Sequence, residues 1–306
     1  MQSGEMKTFN AQHSTSNLQG DSVRGGHFGV GRSMFNVECF RFVFLLVALF
    51  AANLRAADSP WSRVVVIGAS ASGGFVLTEP FGGPTTEQCK PHHYLDAAIT
   101  APHAPVKNFG SALFFLSPDA MAASEIQAAT NAKPTLVVAV DFLFWFCYGN
   151  GDTDAERAAH FEAGLKRLEQ IPCPLLVGDI PDASSATNTG IISAEQVPSE
   201  AVRRAANERL KKWAAKRKQV TIVPLAEFMR AVKADEAIKL HSTILPAGKT
   251  RTLLQADGLH PTPRGAAVLS LGIWDAFLKT HPKVSSKEIN WSAEEVLRDG
   301  LKPAAP

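Results

Sequence analysis

The chain has 306 residues, of which 45% are hydrophobic and 20% are charged. This composition excludes a disordered, collagen-like or coiled-coil protein and indicates a globular chain long enough to bury a substantial core. Lysine and arginine (31) exceed aspartate and glutamate (29) by only two charges. A body so close to neutral has no general attraction to nucleic acid or to an anionic membrane, so neither is expected as a partner.

The N-terminal part of the chain, residues 1–57, reads as a disordered leader that contains a signal peptide. Residues 42–52 form an unbroken apolar run, which is shorter than the roughly 20 residues of a membrane-spanning helix. That length is typical of a signal-peptide core, and the small residues Ala56 and Ala57 follow it. The pattern predicts cleavage, a secreted or periplasmic protein without a stable membrane anchor, and a translation start at Met34. An uncleaved anchor or a buried helix is the alternative.

Residues 58–306 read as one domain in which strands alternate with helices. Apolar, β-branched runs predict a strand at each of 63–68, 106–109, 135–140, 174–178 and 220–223. Capping residues and apolar spacing predict helices over 93–100, 117–131, 153–170, 199–218, 225–232 and 262–279. Strands that are separated by helices need crossover connections, so the sheet is parallel and covered on both faces. The predicted fold is α/β, a three-layer α/β/α sandwich with a parallel five-stranded sheet.

Two polar segments flank this pattern at the places where a parallel sheet binds ligands, beyond the carboxyl ends of its strands. Residues 68–73 read Gly-Ala-Ser-Ala-Ser-Gly after the first strand, and residues 257–261 read Asp-Gly-Leu-His-Pro before the last helix. A serine hydroxyl becomes nucleophilic when a histidine removes its proton, and the imidazole needs an acceptor on its other nitrogen. Ser70, His260 and Asp257 therefore form a candidate triad. Taken alone, each segment also fits a plain turn or helix entry.

These two segments resemble the conserved blocks of the SGNH (GDSL) hydrolase superfamily, whose members are esterases, lipases and carbohydrate deacetylases with a flavodoxin-like fold. The resemblance implies that Ser70 is the nucleophile, His260 the general base and Asp257 its orienting acid. Ala69 stands where the family has an aspartate outside the triad. The implied reaction needs no cofactor and no metal, and it takes a small-molecule or polysaccharide ester as substrate.

The resemblance also implies an oxyanion hole of three donors: the nucleophile's own N–H, a glycine after the second strand and an asparagine after the third. The Ser70 N–H and Gly110 fit the first two places. Asp141 follows the third strand directly, and Asn150 comes nine residues later, so Asn150 contributes only if its loop folds back. Asp141 donates only when protonated, and it is either a buried hydrogen-bonding acid or a site residue. This departure keeps open a second hypothesis, an inactive SGNH-like binding or accessory protein.

Other kinds of site fit the sequence less well. A dinucleotide-binding turn needs a glycine at the place of Ser70, and an α/β-hydrolase elbow needs one at the place of Ser72. The neighbouring His92 and His93, with His103 nearby, lack a cysteine or carboxylate partner at zinc-like spacing. No metal is therefore expected. The aromatic residues within 142–146 are interpreted as core, with the lining of a substrate pocket as the alternative.

Export would place three cysteines, Cys89, Cys147 and Cys173, in an oxidising compartment. Three cysteines form at most one internal pair, and Cys89 with Cys147 is the pairing that the sequence leaves open. Cys173 opens a predicted strand and is expected to be a small buried apolar residue.

Overall fold

The structure is a computed structural model, and it describes residues 59–76, 88–149, 151 and 153–302. The predicted leader lies outside these residues, so the leader, its cleavage and export stay predictions. Asn150 also lies outside them. Within the described ranges, no helix combines the length and the hydrophobicity needed to cross a membrane.

The strands of the described residues define the central sheet and two small hairpins. In chain order they are β1 (Val64–Val66), β2 (Phe75–Val76), β3 (Gln88–Cys89), β4 (Lys107–Asn108), β5 (Leu136–Ala139), β6 (Leu175–Gly178), β7 (Val220–Val223), β8 (Ile238–Leu240) and β9 (Thr243–Leu245). Five of them form a sheet in the order β4-β1-β5-β6-β7, and every neighbouring pair is parallel. This is the flavodoxin-like order, in which the chain reverses direction across the sheet beside β1.

Helices cover both faces of this sheet. In chain order they are α1 (Ser70–Gly73), α2 (Pro91–Ala98), α3 (Pro118–Asn131), α4 (Phe144–Tyr148), α5 (Asp154–Leu168), α6 (Glu200–Ala214), α7 (Leu225–Lys233), α8 (Pro263–Thr280) and α9 (Ala293–Gly300). Successive strand side chains point to opposite faces. Val64 and Val66 accordingly belong to one buried cluster with α2 and α8, whereas Val65 belongs to the other with α3 and α5. The three-layer sandwich predicted from the sequence is confirmed.

Several elements were not predicted, among them the short elements α1, β2 and β3. The short helix α4 was not predicted, because its five residues are all apolar and buried and an unbroken apolar run shows no helical period. The antiparallel hairpin of β8 and β9 and the terminal helix α9 were not predicted either. The aromatic residues within 142–146 are buried, as expected, and Phe144 also lines an apolar pocket, as in the alternative.

The cysteines do not pair in the structure. Cys89, Cys147 and Cys173 are all free; the first two are buried and the third is half-buried. The Cys89–Cys147 pairing left open by the sequence is therefore wrong for this structure. Burial raises the pKa of the Cys89 thiol to about 12, which keeps it protonated and unreactive at neutral pH.

The start of α8 packs closely against the loop that precedes it. A Cβ atom on Gly265 would lie 1.9 Å from the Leu253 carbonyl oxygen, whereas one on Gly272 would lie 3.5 Å from the nearest atom, Leu240 Cδ2. The same Leu253 oxygen accepts a hydrogen bond from the Thr262 N–H at 2.8 Å. Because Gly265 has no side chain, the first turn of α8 can pack directly against the backbone at Leu253.

We predict that Gly265→Ala destabilises the protein although alanine is the better helix former. The overlap with a backbone oxygen outweighs the roughly 1 kcal/mol that alanine gains over glycine in a helix. Gly272→Ala, in the same helix with room for the methyl group, should stabilise by up to about 1 kcal/mol. Urea unfolding of both variants measures the free energies, and equal effects of the same sign would contradict the packing argument.

Candidate active site

The turn after β1 places Ser70 at the carboxyl edge of the sheet. Gly68 has a φ of +132°, and a Cβ there would lie 2.2 Å from Asp141 Oδ1, so the position requires glycine. The Ala69 carbonyl oxygen then accepts hydrogen bonds from the N–H groups of Ser72 and Gly73, at 3.1 Å and 2.6 Å. These bonds close the single turn of α1 and present the Ser70 side chain at its start.

The loop before α8 brings His260 to the Ser70 hydroxyl. His260 Nε2 lies 2.8 Å from Ser70 Oγ, and His260 Nδ1 lies 2.7 Å from Asp257 Oδ2. The other carboxylate oxygen of Asp257 accepts the N–H groups of Leu259 and His260, each at 2.9 Å. The loop therefore orients its own carboxylate. Ser70, His260 and Asp257, which the sequence predicted to meet, form a continuous hydrogen-bonded relay across 190 residues of separation.

The charge state of Asp257 suits this relay. Burial alone would raise the pKa of its carboxyl, but the hydrogen bond and charge of His260 and the two loop N–H groups lower it below the ordinary value. Asp257 is therefore ionised at neutral pH. An ionised acceptor on Nδ1 fixes the tautomer with its free electron pair on Nε2 and stabilises an imidazolium when one forms.

The Phe75 ring packs against one face of the His260 imidazole. The two rings are stacked, with centroids 4.8 Å apart and planes 25° apart, and Phe75 is buried on β2, where it pairs with Cys89 of β3. The sequence analysis missed this residue, because its neighbours read as a Gly/Pro-rich connection. The contact restricts rotation of the His260 ring about the bond to its backbone.

Two buried acids hold the backbone of the nucleophile turn. Glu125 Oε2, from α3, accepts the Gly68 N–H at 2.7 Å. Asp141 Oδ1, from the end of β5, accepts the Ala69 N–H at 3.0 Å and the Ser72 hydroxyl at 2.6 Å. The remaining oxygen of each acid is buried and has no hydrogen-bond partner among the described residues. Asp141 is thus a buried hydrogen-bonding acid beside the site, and Glu125 is a residue that sequence reasoning missed.

Burial raises the pKa of both acids. Burial, reinforced by the nearby Asp141 carboxyl, raises the pKa of Glu125 to about 9. Burial also raises the pKa of Asp141, although the Ser72 hydroxyl and the backbone N–H groups of Ala69 and Ala71 oppose the rise. With a pKa this high, Glu125 is protonated at neutral pH and accepts the Gly68 N–H without a negative charge of its own.

The predicted oxyanion donors are only partly accounted for. The Ser70 N–H has no acceptor among the described residues. The Gly110 N–H donates to Asn108 Oδ1 at 2.9 Å, and a Cβ on Gly110 would lie 2.9 Å from the Gly73 nitrogen, so Gly110 packs against the turn with its own N–H occupied. Asn150 lies outside the described residues. The donor roles of these residues stay predictions.

An apolar pocket opens beside the relay. Ser70, His260 and Asp141 line it together with side chains from α4, the end of β6 and α7. Its volume is about 80 Å³. The reactive hydroxyl and imidazole therefore face a mainly hydrocarbon surface. Elsewhere in the described residues, no group of three histidine, cysteine or acidic side chains could hold a metal ion.

Comparison with known proteins finds similarity in structure alone. No family model and no curated protein matches the chain. The solved structure of TesA covers 72% of this chain and 99% of its own, at 16% identity and a TM-score of 0.42. A lipase/acylhydrolase from Enterococcus faecalis covers 72% of this chain and 96% of its own, at 17% identity and a TM-score of 0.44. BT4096, a gut microbial diltiazem-metabolizing enzyme, covers 74% of this chain and 48% of its own, at 15% identity and a TM-score of 0.44.

We predict that Glu125→Gln changes how stability depends on pH. Because the folded pKa of about 9 lies above the value of 4.5 for a free carboxyl, the folded protein keeps a proton that the unfolded chain releases. The stability that this proton provides is complete below pH 4.5 and is lost as the pH rises through about 9. Glutamine keeps the acceptor and cannot ionise, so the variant should gain stability relative to the wild type between these limits.

Urea unfolding at pH 5 and at pH 9 measures the effect, and Glu125→Ala provides the control. Alanine leaves the buried Gly68 N–H without an acceptor, so it should cost about 1–3 kcal/mol at pH 5. Parallel pH dependences in the wild type and Glu125→Gln would contradict the assignment of a neutral Glu125.

Proposed function

We propose that this protein hydrolyses carboxylic esters through an acyl-enzyme formed on Ser70. The observation that carries the proposal is the relay from Asp257 through His260 to Ser70, with contacts of 2.7 Å and 2.8 Å. Each contact is within hydrogen-bond reach and has the polarity that an activated serine needs. The resemblance of residues 68–73 and 257–261 to the SGNH hydrolase blocks points to the same chemistry.

The relay supports a two-step reaction. Ser70 Oγ attacks the ester carbonyl carbon while its proton passes to His260 Nε2, and ionised Asp257 stabilises the resulting imidazolium. The intermediate collapses when His260 returns that proton to the leaving alcohol oxygen, which leaves the acyl group on Ser70 Oγ. Water then attacks the acyl carbon, His260 takes the water proton, and that proton returns to Ser70 Oγ as the carboxylic acid departs.

The negative oxygen of the intermediate would be held by the Ser70 N–H. The Gly110 N–H would join it by exchanging its present acceptor, Asn108 Oδ1, for the developing oxyanion, which is the more strongly charged acceptor. One such donor typically contributes about 10²–10³-fold in rate. We further propose that the protein acts after export, on the basis of the apolar run at residues 42–52.

A binding protein without turnover is the second candidate function. It is favoured by the occupied Gly110 N–H and by Asp141, which accepts hydrogen bonds at the strand end where the SGNH resemblance implies a donor. In this alternative the pocket binds an ester or acid, and the relay does not complete an acyl transfer.

We predict that a fluorophosphonate probe labels the wild type at Ser70 and that Ser70→Ala abolishes the labelling. His260→Ala should reduce the labelling rate by roughly 10³-fold or more, since the nucleophile then lacks its base. Mass spectrometry of the labelled peptide locates the adduct within residues 68–73. Ser111→Ala removes a hydroxyl that accepts the Leu113 N–H; it is the matched control and should label normally.

Labelling that survives Ser70→Ala would reject the proposed nucleophile. Absence of both labelling and ester turnover in folded wild-type protein would favour the binding protein, with folding checked by circular dichroism.

A further inference from the structure

The pocket beside Ser70 and His260 is built to exclude polar groups. Most of its wall is hydrocarbon, contributed by Phe144 of α4, Ile180 after β6, Leu225, Phe228 and Met229 of α7, and Leu254. Besides the relay residues, the polar side chains that line it are Asp141 and Asp179. Both belong to elements that end at the carboxyl edge of the sheet.

One oxygen of each of these acids is already engaged by the protein, and the second oxygen of Asp141 is buried. Asp141 Oδ1 is engaged by the Ala69 N–H and the Ser72 hydroxyl. Asp179 Oδ1 accepts the Ala226 N–H at 2.7 Å, at the first turn of α7, and so replaces the capping side chain that Pro224 cannot provide. The two acids thus serve the backbone around the pocket, and they leave its interior apolar.

This lining separates the two substrate types that the proposed function allows. A sugar in the pocket would lose the hydrogen bonds of its hydroxyl groups to water, and the wall offers little to replace them, which is costly. A hydrocarbon chain gains free energy by leaving water for the same surface. The pocket therefore favours the hydrocarbon part of an ester over a sugar.

The two halves of an ester also differ in what they require of the pocket. The acyl group stays bonded to Ser70 Oγ until water releases it, whereas the alcohol must receive a proton from His260 and leave. The wall of the pocket includes Ser70 and its neighbours Ala69 and Ala71. The pocket is therefore placed to accommodate the acyl group, which stays bonded to Ser70 Oγ. A cavity of 150 Å³ holds benzene, so the 80 Å³ found here accommodates about three or four carbon atoms.

Resting on the proposed function, we propose that the apolar pocket is the acyl site and that the preferred substrates carry a short hydrocarbon acyl chain of about four or five carbons, the carbonyl carbon included. Acetyl groups on polysaccharides are then poor substrates. Each methylene that enters the pocket should raise kcat/KM by about fourfold, up to the length that fills the cavity.

The test uses the full chain with p-nitrophenyl esters of acetate, butyrate, hexanoate and octanoate, and with methyl, butyl and hexyl acetate. We expect kcat/KM to rise roughly tenfold or more from acetate to butyrate and to level off by hexanoate. It should change little along the alcohol series. An acetate optimum, or a gain that follows the alcohol length instead, overturns the proposal.

Variants of α7 connect this preference to the pocket. Met229→Trp fills the cavity and should lower the ratio of butyrate to acetate kcat/KM to about one, while Met229→Ala should move the optimum to longer chains. Glu227→Trp adds the same side chain at an exposed position of the same helix and should keep the wild-type ratio. An unchanged ratio in both Met229 variants would place the acyl chain elsewhere and reject the proposal.

The same experiments distinguish a failure of the proposed acyl site from a failure of the proposed hydrolase function. Fluorophosphonate labelling of Ser70 together with an acetate optimum overturns the acyl site and leaves the hydrolase intact. Absence of labelling and of turnover on every ester overturns the proposed function, and the acyl site with it.

Discussion

The close approach between the turn after β1 and the end of β5 is the constraint on which the site depends. Gly68 adopts a left-handed conformation with no space for a side chain, because Asp141 Oδ1 occupies the position that a Cβ would take. That approach lets Asp141 reach the Ala69 N–H and lets Glu125 reach the Gly68 N–H. The turn that carries Ser70 is thereby fixed by hydrogen bonds to two neighbouring elements, and Ser70 Oγ lies within hydrogen-bond reach of the His260 imidazole.

The same close approach determines which hydrogen bonds Asp141 makes beside the site. The carboxyl of Asp141 accepts backbone and hydroxyl hydrogen bonds from the turn that carries Ser70. In the proposed reaction, an acceptor at this place strengthens the turn but gives the oxyanion no electrostatic support. The proposed chemistry would therefore combine a rigidly held Ser70 with fewer oxyanion donors.

The fold was predictable where burial on both faces forces a simple pattern. The core strands β1, β5 and β6 consist of apolar, mostly β-branched or leucine residues, and such runs are recognisable without any structure. The hairpin of β8 and β9 was not predictable, because its strands are three residues long and its central pair, Lys239 and Ile244, is exposed. Exposed side chains in so short a segment leave no period to detect.

The candidate site also contains residues that the sequence predicts and residues that it does not. Asp257 and His260 could be predicted as a pair because the acid lies three residues before the imidazole. Ser70 lies 190 residues away, and it could be predicted because it follows a buried strand at the edge where parallel sheets bind ligands. Glu125 could not, since it contacts Gly68 across 57 residues and an acid within a helix ordinarily indicates a solvent-facing position. Phe75 likewise gains its role from stacking on a ring near the other end of the chain. Residues that support a site from a distance have no spacing rule of their own.

The antiparallel pairing of Phe75 with Cys89 has a consequence for how this protein can diverge. Because β2 and β3 pair side by side, the segment that joins them has both of its ends fixed. Closing a longer loop costs only about 0.6 kcal/mol for each doubling of its length. Evolution can therefore change the length of that segment while the aromatic ring of Phe75 keeps its place against the imidazole.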